Sequence, residues 1–98
     1  MAVSVLVQMK AHPGQGDRMA EVLDAIMPDT LAAEGAISLE LFRAQDDRDF
    51  FFAVGRWRER EDHQKYMAWR AETGIGHDEL GPLLAEYTVT YSDTVGEW

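Results

Sequence analysis

His63, Tyr66, Met67 and Arg70 stand at spacings of three, four and seven in a charged segment that reads as a short helix, so they share one helical face. Imidazole is the side chain whose ordinary pKa lets it take up and return a proton near neutral pH. A tyrosine hydroxyl beside it offers a second proton-transfer group, and a guanidinium offers a permanent cation with several donors. Together such groups can deprotonate a weak acid and hold the anion that results. The expected roles are His63 or Tyr66 as base and Arg70 as the group that steadies the anion. The competing reading is structural, with His63 satisfied by Glu59 or a backbone carbonyl and Tyr66 packing as an amphipathic ring.

Just before this helix lies an aromatic stretch, Phe50 to Trp57, whose content of Phe, Val and Trp predicts a strand. Its alternating sets are Phe50, Phe52, Val54, Arg56 and Phe51, Ala53, Gly55, Trp57. Both sets are largely apolar, which predicts a central strand covered on both sides. One face would be covered by the chain's own helices and the other by a second copy of the sheet. The helix then sets polar groups above an aromatic floor. Phe52, Trp57, Met67 and Trp69 are the candidate substrate-lining residues, together with His77 further along. Trp57 also suits a core anchor, and Trp69, two residues beyond Met67, points off the main buried face toward a pocket mouth or a dimer contact. His12, His63 and His77 show no paired-ligand spacing and there is no cysteine, so no metal site is expected.

The remaining elements follow from the same periodicities. Residues 3–11 alternate Val3, Val5, Val7, Met9 against Ser4, Leu6, Gln8, Lys10 and predict a strand. His12-Pro13-Gly14-Gln15-Gly16 is a loop; its Gly-x-Gly lacks the third glycine of a phosphate-binding fingerprint. Asp17 is placed to cap a helix carrying Met19, Val22, Leu23, Ile26, Met27, Thr30 and Leu31 on one stripe, with Pro28 interrupting it. Residues 36–44 predict a second strand, joined to the aromatic strand by the polar turn 45–48. After a Gly-rich break at 73–76 come a short helix from His77 containing Leu80, Leu83 and Leu84, then a last strand with Tyr87, Val89 and Tyr91. Residues 92–98 read as a flexible or partner-docking tail. The order β-α-β-β-α-(α)-β is that of an α+β, ferredoxin-like split βαβ fold in a single domain spanning 1–98: a four-stranded antiparallel sheet with helices on one face. The face bearing Val3, Val5 and Val7 is the expected surface between two subunits.

Composition narrows the partners. Eighteen acidic residues against nine basic ones give a net charge of −9, opposite to the balance of proteins that bind nucleic acid or anionic membranes. No apolar run approaches the about 18 residues of a membrane span, and no signal peptide is visible, so a cytoplasmic protein is expected.

One combination of motifs extends over nearly the whole chain. A first strand ends in a Pro-Gly loop, and an amphipathic helix ends in Ala-Glu-Gly. Ser-Leu-Glu-Leu-Phe-Arg leads through Asp-Asp to an aromatic strand ending Gly-Arg-Trp, and Leu-Gly-Pro-Leu-Leu-Ala follows late in the chain. This pattern resembles the antibiotic biosynthesis monooxygenase family of dimeric α/β-barrel proteins. The resemblance implies a homodimer with two sheets face to face, each subunit carrying a pocket for a small aromatic molecule between sheet and helices. It implies cofactor-independent oxidation of a quinol or polycyclic phenol by O₂, without metal or flavin, the substrate reacting as its anion. The alternative is a non-catalytic dimeric domain that binds a small aromatic ligand, and haem binding through His77 is more remote. Many members have histidines nine and fourteen residues after the strand-end Trp, where this chain has Tyr66 and Ala71. Haem-degrading relatives use an Asn-Trp-His set; this chain has no asparagine, Tyr66 falls where their Trp stands, and His77 lies near their iron ligand.

Overall fold

Period-two alternation of branched and aromatic side chains produces β1 (Val3–Ala11), β2 (Ala36–Arg43), β3 (Phe50–Trp57) and β4 (Leu84–Ser92). A computed structural model describes residues 2–98. In it the strands form one sheet in the order β2-β3-β1-β4, with every neighbouring pair antiparallel. The helices are α1 (Gly16–Leu31), α2 (Arg60–Thr73) and α3 (His77–Leu80), the last followed by a 3₁₀ turn at Gly81–Leu83. This is the split βαβ, ferredoxin-like arrangement, and β3 and β1 are its two central strands.

Alternation assigns the two faces of the sheet. Val5, Met9 and Ala11 of β1 and Phe51, Ala53 and Trp57 of β3 are buried beneath the helices, with Val3 and Val7 on the same side. The valines expected at a subunit interface therefore belong to the chain's own core. The register explains it: Val5 lies opposite Gly55, and Val7 opposite Ala53, so they follow the β3 set that the helices cover. The uncovered face carries the other set. There Phe52 pairs with Gln8 on one side and Phe42 on the other, and Val54 lies beside Leu6. The Phe42 and Phe52 rings stack with centroids 5.0 Å apart, and Phe42 is 39% exposed. A bulge near the start of β2 shifts the register between Ala36 and Ser38 and leaves Ile37 exposed.

Helix α1 buries Met19, Val22, Leu23, Ile26 and Thr30 against the sheet, and continues through Pro28 to Leu31. Asp17 does not cap it. The helix begins one residue earlier, and Asp17 reaches Arg43 at 2.8 Å. The amides of the preceding loop are bonded instead by a carboxylate from the β2–β3 turn, with Asp49 accepting from Gly14 N–H at 3.2 Å and Gly16 N–H at 2.9 Å. The position an anion would take in this Gly-x-Gly loop is filled by the chain's own acidic side chain. A Cβ at Gly16 would collide with the Arg48 carbonyl and the Asp49 carboxylate, which is why glycine stands there.

Helix α2 stops at Gly74, which adopts a left-handed conformation (φ 74°) and returns its N–H to the Arg70 carbonyl at 2.9 Å. The last strand begins at Leu84, three residues before Tyr87, because the 3₁₀ turn at Gly81–Leu83 ends the helical segment sooner than the leucine spacing suggests. Ser92 belongs to β4, and its hydroxyl donates to the Ser4 carbonyl at 3.0 Å. Beyond it the chain has no regular structure, and Val95 and Trp98 are fully exposed. No helix of the described residues is long and apolar enough to cross a membrane.

Candidate active site

Two hydrophobic clusters fill the space under the helices. One joins α1 to β1 and β3 through Met9, Met19, Leu23 and Phe51; the other joins α2 to the sheet through Val5, Trp57 and Tyr66. A cavity of about 60 Å³ lies where they meet. Its walls include Val7, Leu23, Trp57, Met67 and Tyr87, and three polar side chains of α2 line it: His63, Tyr66 and Arg70. The 3, 4 and 7 spacing thus does place these groups on one inward face, and all three are more than nine-tenths buried.

His63 is seated by aromatic contacts. Its ring meets Trp57 edge-on, with centroids 5.2 Å apart. Its Nδ1 lies 2.8 Å from the hydroxyl of Tyr91 on β4, and Nε2 has no hydrogen-bond partner among the described residues. The partner is therefore neither Glu59 nor a backbone carbonyl. Burial holds its pKa below that of a free imidazole, and the positive charge of Arg70 lowers it further. His63 is consequently neutral near physiological pH and able to accept a proton.

Tyr66 is engaged differently. Its hydroxyl lies 2.6 Å from Thr30 Oγ1, and Thr30 donates in turn to the Ile26 carbonyl at 3.3 Å. With the threonine proton committed there, Tyr66 is the donor in the shorter bond, which ties α2 to α1. Its ring leans on Trp57 at 5.8 Å and stacks on Trp69 at 6.0 Å. Of the two expected bases, His63 is the one with a nitrogen free to act.

Arg70 is the unusual group. It is only 8% exposed, its Nε is fully buried without a hydrogen-bond partner, and no acidic side chain among the described residues pairs with it. Its nearest electron-rich neighbour is the Tyr66 ring, with Cζ 5.8 Å from the centroid. A buried, unpaired cation is costly, and an anion delivered to it recovers that cost. Nearby Tyr87 has its pKa raised by burial, an effect that Arg70 opposes. Tyr87 is 41% exposed, and like any phenol side chain it keeps its proton near neutral pH and can donate it.

The other expected lining residues divide. Trp57 and Met67 line the cavity, whereas Trp69 stands 43% exposed outside it, on a groove of about 430 Å³ between α2 and the end of α1. Phe52 lies on the opposite face of the sheet and cannot reach the cavity, because strand alternation turns it away from Phe51 and Ala53. His77 opens α3 on the surface and is not part of the cavity wall. Among the described residues, no group of three or more His, Asp or Glu side chains is placed to hold a metal ion. Sequence reasoning missed Tyr91 and Thr30. The register of β4 carries the signal for Tyr91, which sits opposite Val5 and so on the covered face. A lone hydroxyl within the apolar stripe of α1 was the signal for Thr30.

The sequence profile of the antibiotic biosynthesis monooxygenase family matches residues 2–71. Solved structures of similar shape include a candidate antibiotic biosynthesis monooxygenase from Bordetella bronchiseptica, at 17% identity and a TM-score of 0.83, covering 96% of this chain and 97% of that one. A Mycobacterium tuberculosis protein matches at 22% identity and 0.79, covering 99% and 98%. A candidate monooxygenase of the same class from Nitrosomonas europaea matches at 14% and 0.81, covering 98% and 100%. No curated protein matches the sequence. At these identities the structural likeness speaks for the fold. The profile match, which spans well over half of the chain, identifies it as a member of the antibiotic biosynthesis monooxygenase family.

Proposed function

We propose that this protein is a cofactor-independent monooxygenase that oxidises a quinol or polycyclic phenol with O₂ in the cavity between α2 and the sheet. The observation that supports this most is the buried, unpaired Arg70 beside a neutral, partly free His63. In the reactive tautomer, Nδ1–H of His63 donates to Tyr91 and the Nε2 lone pair takes a proton from the substrate. Arg70 holds the anion, and the aromatic walls keep water away from it. The anion passes one electron to O₂, and the resulting pair combines to form a carbon–oxygen bond. The imidazolium returns its proton to the terminal peroxide oxygen. Breaking the O–O bond with loss of a second substrate hydrogen as a proton releases water and leaves a carbonyl. One oxygen atom enters the substrate and the other leaves in water, so O₂ is the only oxidant needed.

The active species is taken to be a homodimer, joined through the uncovered sheet face that carries Leu6, Phe42, Phe52 and Val54. Support comes from the stacked, partly exposed phenylalanines on a face that has no helix to cover it. A Phe42→Asp chain is expected to sediment as a monomer where the parent is a dimer; a dimer of unchanged stability would remove this face from the interface.

The non-catalytic reading keeps one supporting observation, the small cavity. Oxygen uptake by the chelator-treated protein with hydroquinone and anthrone-type substrates separates the two readings. His63→Ala is expected to lower the rate by about 10²–10⁴, the usual worth of a general base. A rate equal to the parent's would exclude His63 from proton transfer, and no uptake above background on any of these substrates would favour ligand binding alone. The pH profile tests the electrostatics. A base must be unprotonated, and the His63 pKa is lowered, so kcat/KM should fall only below about pH 6.5, the ordinary imidazole value. Arg70→Met removes one cause of the lowering and should move that limb to higher pH, whereas an unmoved limb means that the titrating group is not His63.

A further inference from the structure

We propose that the groove between the end of α1 and α2 is the vestibule of the inner cavity, a first subsite for a planar aromatic ligand, and that Tyr66 is the gate between the two. The cavity as it stands measures about 60 Å³. An apolar cavity that takes a single benzene ring is about 150 Å³, so no aromatic substrate fits unless a wall moves. The groove outside is about 430 Å³, and Tyr66 is the residue that lines both spaces.

That ring is held on one side by a single hydrogen bond across the helices, Tyr66 Oη to Thr30 Oγ1. Its anchor stands near the end of α1, two residues after Pro28. A proline inside a helix has no N–H to give and so leaves the carbonyl four residues earlier, that of Asp24, without its helical partner. The segment bearing Thr30 therefore has one backbone bond fewer to the rest of α1, beside the side-chain bond from Thr30 to the Ile26 carbonyl. Outside the gate, Trp69 presents a partly exposed ring already stacked on Tyr66. An arriving flat ring can stack there, and once the Thr30 bond breaks it can take over the place of Tyr66 against Trp57. The outer groove and the inner cavity then become one space with Arg70 at its end. The identity of the ligand rests on the oxygenase reading above; the route itself does not.

The chain contains no cysteine, so a single introduced thiol is the only one present. Val5→Cys places it in the wall of the inner cavity at a position only 1% exposed, where N-phenylmaleimide, a reagent carrying one aromatic ring, can reach it only by entering. Adding Thr30→Val releases the gate and is expected to speed labelling by about threefold or more. Adding Ala32→Trp fills the outer groove and is expected to slow labelling by about the same factor. Smaller changes in either background, or rates that merely follow the urea midpoints of the variants, would overturn the proposal. Oxygen uptake is read independently. Gated labelling without uptake leaves the vestibule standing and removes the oxygenase reading; uptake without gated labelling does the reverse.

Discussion

A four-stranded sheet has two faces, and this chain has helices enough for one. Everything distinctive in the molecule follows from that shortage. The covered face can be uniformly apolar, and it is: Val5, Met9, Phe51 and Trp57 lie beneath α1 and α2. The uncovered face receives the alternate residues of the same strands, and because β3 is aromatic in both registers, that face carries Phe52, with Phe42 of β2 stacked on it, where an ordinary solvated strand would carry polar groups. One strand therefore both floors the cavity and supplies the surface on which a second sheet can be laid.

Within the covered layer, the packing is interrupted where α2 places charge and hydrogen-bonding groups over Trp57. His63 is oriented by Tyr91, Tyr66 is secured by Thr30, and Arg70 is left without a partner. A protein selected for stability alone would replace that arginine with an apolar side chain of similar volume, since burying an unmatched cation is among the more destabilising choices available. Its presence is better explained by something that arrives later and carries negative charge. The same charge helps to keep His63 neutral, so in the proposed reaction one residue would both prepare the base and receive the anion that the base creates.

Much of the fold was legible because it rests on local periodicity. The strand limits at Val3–Ala11 and Phe50–Trp57 coincide with the alternating runs, and the β-α-β-β-α-β order leads directly to the observed sheet. What alternation within one strand cannot say is which of two apolar sets faces inward. That depends on the partner strands, and so Val3, Val5 and Val7 were set on the wrong side of the sheet, and Phe52 in the wrong compartment. The helical spacing of His63, Tyr66 and Arg70 put them on one face without knowledge of anything else. Their partners Tyr91 and Thr30 lie 28 and 36 residues away from them in the chain, and only the pairing of β4 with β1 and the approach of α1 to α2 bring them in. His77 failed for a related reason: its place was inferred by position relative to other chains, while here it opens a four-residue helix at the surface.

The central claim is that the cavity turns a weakly acidic aromatic molecule into its anion against Arg70. The most direct measurement is the ultraviolet absorption of 2-naphthol bound to the protein near neutral pH, where the free compound is un-ionised and the naphtholate band lies at longer wavelength. The account predicts the naphtholate band in the bound ligand, and its loss when Arg70 is replaced by methionine. Bound 2-naphthol that keeps the spectrum of the neutral phenol in the parent protein would contradict it.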